Sequence, residues 1–146
     1  RVLFRSLSPN ARKLIALGAI NAFLAVALGA FGAHGLQELL TPKALQTWHT
    51  GVDYHGFHAL GLILIGLLST AIPTAIKAGW WLLGGTLLFS GSLYLLALSD
   101  IKMVGIITPI GGICFLIGWL LLAQQALHAT SDNASSDNHP EETLEN

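Results

Sequence analysis

Histidine has the widest chemical reach of any residue type in this chain. Four of its six histidines, His34, His49, His55 and His58, fall within 25 consecutive residues. Three imidazoles at one place would suit zinc or copper, and two on facing helices could ligate a haem. Helical geometry divides the group. On a continuous helix with His49 at zero, Asp53 lies at about 40°, whereas His58, His55 and Trp48 lie near 180°, 240° and 260°. His49 and Asp53 form an i, i+4 pair suited to a surface contact. His55 and His58 share another face, where His34, in the glycine-flanked run Gly32-Ala33-His34-Gly35, is placed to meet them. No CxxC, methionine-rich loop or intramembrane carboxylate accompanies the set. Metal or haem ligation, a structural hydrogen-bond network, and proton or ligand handling all stand as readings.

The elements that must position these rings are four apolar stretches, residues 14–33, 54–72, 79–98 and 103–123. A helix rises about 1.5 Å per residue, so about 20 residues match a hydrocarbon core of roughly 30 Å. With 53% hydrophobic and only 10% charged residues, the chain lacks the polar side chains to cover a water-soluble globule. The expected fold is an all-α integral membrane protein. It is an up-down bundle of four transmembrane helices over residues 1–128, with a short outer interfacial helix. Ser8-Pro9 and Thr41-Pro42 mark helix starts, a hydroxyl capping free amides before a proline in the first turn. From Thr41 the spacing of Leu45, Trp48, Val52, His55 and Ala59 carries helix two into span two, with Gly51 and Gly56 as places to bend. Leu36, Leu39 and Leu40 supply the amphipathic turn at the outer interface.

Between helices in lipid there is no hydrophobic force, so small residues must allow close backbone approach. Gly18, Asn21, Ala25, Gly29 and Gly32 form one stripe of helix one. Gly84, Gly85, Gly91 and Ser92 form an arc on helix three, and Gly105, Pro109, Gly112 and Ala123 another on helix four. Pro109 frees the carbonyl of Gly105 and predicts a kink. Asn21 stands mid-span, where an unpaired amide costs roughly 2 to 7 kcal/mol, so it needs a partner; Ser90, Ser92 and Tyr94 are candidates. Ser90-Gly91-Ser92 lacks the G-x-S-x-G pattern and a nearby base, which leaves it a packing role. Cys114, the single cysteine, is mid-span and reads as a small buried hydrophobe.

Arg1, Arg5, Arg12 and Lys13 precede span one and Lys77 follows span two, against Lys43 and Lys102 on the other side. That asymmetry predicts cytoplasmic N- and C-termini. The first apolar core is too long for a signal peptide and lacks a small-x-small cleavage site, so it reads as a retained helix. Residues 129–146 carry five acidic side chains and no Lys or Arg, and read as a disordered cytoplasmic tail that argues against nucleic-acid binding.

GAFGAHGL at Gly29 to Leu36, TPKALQTW after it, Thr50-x3-Tyr54-x3-His58-Ala59-Leu60, FSGSLYLLAL at Phe89 to Leu98, and ITPIGGICFLIGWLLLA at Ile107 to Ala123 follow in order. Over about residues 14 to 123 the chain thereby resembles a small four-span membrane family catalogued as domain of unknown function 423. It is similar also to the eukaryotic transmembrane protein 256. The resemblance implies a four-helix integral membrane protein, in bacteria of the inner membrane, and no established activity. His34 and His58 sit on the family pattern, whereas His49 and His55 look like additions.

The candidate ligand or polar network is therefore His34, His58, His55, Asn21 and Tyr54, with His34 and His58 meeting across helices one and two and serving as the metal ligands if there are any. The absence of a nucleophile, carboxylate pair or nucleotide loop predicts no enzyme and no required cofactor. The expected function is a non-catalytic accessory or assembly subunit, partnered by the bilayer and by other membrane subunits or itself. The alternative is a binding module for a metal, haem or quinone at the outer face. A small transporter is third, since no charged residue lies at a midplane.

Overall fold

The computed structural model describes residues 7–136, with side chains to residue 129. Its four long helices are α1 (Pro9–His34), α2 (Pro42–Leu68), α3 (Ile76–Ser99) and α4 (Ile107–Ser136). Short 3-10 segments at Pro73–Ala75 and Lys102–Ile106 lead into α3 and α4. All four helices are long and apolar enough to cross a membrane. Both proposed caps form. Ser8 Oγ accepts from the Ala11 amide at 3.1 Å and Thr41 Oγ1 from the Ala44 amide at 3.2 Å. From its capped start, α2 runs unbroken through Gly51 and Gly56.

Consecutive helices are antiparallel neighbours: α1 packs on α2, α2 on α3, and α3 on α4. The bundle is not closed. Among the described residues α4 makes no close backbone approach to α1 or to α2. The α1–α2 and α3–α4 seams depend on glycine. A Cβ added at Gly18 would lie 2.8 Å from the Ala59 carbonyl oxygen and 2.9 Å from the Ile63 amide nitrogen. One at Gly111 would run into the backbone of Phe89. Such contacts let dispersion forces act between whole backbones, the main attraction left when solvent is as apolar as the side chains.

Several expectations change at this level. Gly29 and Gly32 on α1 do face α2, against Val52 and Trp48, but Gly84 and Gly91 on α3 meet nothing within 4 Å. Gly85 instead receives Phe115, and on α4 the close contacts fall on Gly111 and Gly118, whereas Gly105 and Gly112 are only loosely approached. Pro109 has no preceding turn of helix to kink, because it lies in the first turn of α4, where proline costs no helical hydrogen bond. Between α1 and α2 stands a hydrogen-bonded turn, not a helix. The Leu39 and Leu40 amides donate to the Leu36 carbonyl, and Leu36 turns inward against Trp48 while Leu39 points away. Finally, α4 continues to Ser136, taking in the first part of the segment expected to be disordered. Extending a formed helix adds one hydrogen bond per residue without a new nucleus. Residues 137–146 lie outside the described residues.

Candidate functional site

The two histidines on the shared face of α2 diverge to opposite neighbours. His55 Nε2 donates to Asn21 Oδ1 on α1 at 2.9 Å, and Tyr94 of α3 donates its hydroxyl to His55 Nδ1 at 3.0 Å. The relay has a defined direction. Asn21 Nδ2 donates to the Leu17 carbonyl at 2.8 Å, which leaves Oδ1 as the acceptor and assigns the ring proton of His55 to Nε2. Tyr94 is thus linked to Asn21 through the imidazole and not directly. Ser90, another candidate partner of Asn21, bonds the Gly51 carbonyl at 2.7 Å, and Ser92 meets Thr108 of α4 at 2.6 Å.

His58 faces α4. Its Nδ1 donates to the Tyr54 carbonyl at 2.8 Å, and the indole of Trp119 donates to its Nε2 at 3.1 Å. A carbonyl only accepts and an indole N–H only donates, so these partners select the neutral Nδ1–H tautomer. The ring lies flat on Phe115, with centroids 3.5 Å apart and planes within 6°. Tyr54 lies beside it, its ring centroid 4.4 Å from that of Phe89. Side chains thereby bridge α2 and α4 where their backbones stand apart.

What remains between these helices is an open groove of about 760 Å³, bounded by Tyr54, Phe57, His58, Phe89, Phe115 and Trp119. Asp53 and Pro109 stand at the end nearer the α1–α2 turn, and Trp119 lies deeper. Gly112 forms part of the α4 wall, where the missing side chain leaves room. The groove is apolar apart from the Asp53 carboxylate, the Tyr54 hydroxyl and the polar ring edges. Spacing supplies each wall but not the gap between them: Tyr54, Phe57 and His58 share one face of α2, as Phe115 and Trp119 share one of α4. Those aromatic residues of α4 went unnoticed because they read equally well as lipid-facing.

His34 takes no part. It is exposed at the end of α1, at the level of Trp48, because Gly32 packs on the Trp48 ring. Ten residues of α2 separate Trp48 from His58, about 15 Å of rise, so antiparallel packing holds His34 and His58 apart. The expected shared histidine site is therefore not assembled. Among the described residues no three His, Cys, Asp or Glu side chains are grouped to hold a metal ion, and ligation through His55 or His58 would break the bonds that fix their rings. His49 is also exposed, and no ion pair or hydrogen bond joins it to Asp53 among the described residues.

Four apolar helices, glycine seams and internally satisfied polar side chains define a multi-pass membrane protein. Residues 28–112 match the family described as protein of unknown function, DUF423, and the chain belongs to that family. It is 51% identical over 116 residues to the UPF0382 membrane protein YwdK of Bacillus subtilis, covering 77% of this chain and 94% of the relative. A UPF0382 membrane protein of Staphylococcus epidermidis is 50% identical over 109 residues, 74% of this chain and 89% of its own length. No solved structure matches.

Proposed function

We propose that this protein is a non-catalytic binding protein that receives a lipophilic molecule from the bilayer in the groove between α2 and α4. The supporting observation is the groove itself: aromatic faces stand open on a gap that two helices leave between them. Aromatic walls with a few polar groups are the ordinary make-up of a small-molecule site. His58 acts here as a fixed wall, since both of its nitrogens are held by the protein. The lack of a nucleophile or a carboxylate pair along the chain favours retention of the ligand over its conversion. The basic-residue asymmetry favours cytoplasmic termini, which puts the Asp53 end of the groove toward the outer face.

Gly112→Leu tests the proposal, because it fills the groove from a position whose added Cβ meets nothing closer than 3.8 Å. Native mass spectrometry of protein extracted in mild detergent should find a lipophile on the unaltered chain and none on the variant at equal thermal stability. Equal occupancy in both, or in neither, contradicts the proposal. A second reading, an accessory or assembly subunit bound to other membrane proteins or to itself, is favoured by α1 and α4. They occupy the open edges of the bundle and expose large apolar side chains such as Phe23, Val26, Leu116 and Leu120.

A further inference from the structure

We infer that the groove selects lipophilic cations, with the Asp53 carboxylate as the charge-recognising group; this rests on the groove being a ligand site. Asp53 is the one acidic residue bordering it. Its carboxylate is exposed, and among the described residues no hydrogen bond or ion pair engages it. The lysines at the same end of the molecule are drawn elsewhere, Lys43 and Lys102 lining a separate crevice with Asp100. With no cation engaging it, this carboxylate at the end of the groove is available to the charge of an entering ligand. The neighbouring surface suits the same charge. Tyr54 and Phe57, within about a turn of Asp53 on α2, line the groove with aromatic rings, and the negative face of a ring attracts a cation.

The polarity of the groove specifies the shape of the ligand. Asp53 stands at the end nearer the helix termini and Trp119 in the deeper apolar part, so the cationic centre sits at one end and an aryl or alkyl body extends inward. An anionic amphiphile would meet the carboxylate head-on. A neutral one would gain only apolar contact, so charge gives the discrimination and the aromatic walls hold the body.

Methyltriphenylphosphonium is a suitable probe, its charge open at the methyl end and its aryl body opposite, with neutral triphenylphosphine oxide as its uncharged counterpart. Equilibrium dialysis of the full chain in a neutral detergent should show saturable phosphonium binding, weakened about tenfold or more in Asp53→Asn and restored in Asp53→Glu. The oxide should bind more weakly and be indifferent to Asp53. Because Asp53 is exposed, all three proteins should melt together, which separates lost recognition from lost fold. Equal affinity for both probes, or an unaffected Asp53→Asn, overturns charge selection while leaving an apolar groove. If neither probe binds saturably to the unaltered protein, both this inference and the ligand groove fail. Asp53-dependent dimers in light scattering would instead assign the surface to a contact between copies, and would overturn the inference.

Discussion

His55 and His58 lie three residues apart on one helix, each with both ring nitrogens engaged, yet they serve opposite surroundings. His55 closes a relay from Tyr94 to Asn21 that ties three helices together. His58 is held by the Tyr54 carbonyl and the Trp119 indole and lines an open groove together with that indole. The same side chain is used in one place as a rivet and in the other as a wall. Burial and saturated hydrogen bonding are alike at the two rings; what differs is the open space beside His58.

The sharpest break in that comparison comes from the seams that force the helices together. Gly111→Leu should lower stability in detergent by about 1 to 3 kcal/mol or abolish folding, since its side chain must displace the Phe89 backbone. Thermal melts check this, with Gly84→Ala as the matched change into open space. On the His55 side, His55→Leu leaves Asn21 and Tyr94 unsatisfied and should cost about 0.6 to 2 kcal/mol. Asn21→Leu should cost a similar amount, and the double variant less than the sum of the two, because both remove one relay. Fully additive losses in a double-mutant cycle would show that no coupled relay exists. On the groove side, Trp119→Phe removes the donor to His58 Nε2 but keeps an aromatic wall, and should shift stability by about 1 kcal/mol or less. The smallest effect is expected at His34→Ala. It is exposed and belongs to neither region, so both stability and bound metal should stay unchanged by thermal melting and elemental analysis.

Much of the frame was legible because it follows from one-dimensional patterns. Span lengths, the Ser8 and Thr41 caps, and the stripe Gly18, Asn21, Ala25 each involve a single helix and its periodicity. Failures came where two helices must be set against one another. The arc on α3 left open whether Gly84 or Gly85 faces α4, since a glycine stripe does not name its neighbour. His34 and His58 were paired because both fall near helix ends in sequence. The α1–α2 register, pinned by Gly32 on Trp48 and Gly18 on Ala59 and Ile63, instead offsets them along the axis. Mid-span depth shows that Asn21 needs a partner, but the sequence does not single out His55, whose ring reads equally well as a ligand. The groove was least legible of all. It arises from the separation of α2 and α4, which no residue pattern within either helix encodes.

Trp119 lies inside the groove and can report directly on uptake of a lipophile there. Titrating a brominated lipophile into the protein in detergent, and subtracting the response of Trp119→Phe, isolates quenching at that indole. Binding in the groove gives saturable Trp119 quenching that disappears when Gly112→Leu fills it. Quenching that rises linearly with lipophile, and is the same in Gly112→Leu, would mean ordinary contact with the surrounding lipid phase and would contradict a binding site there.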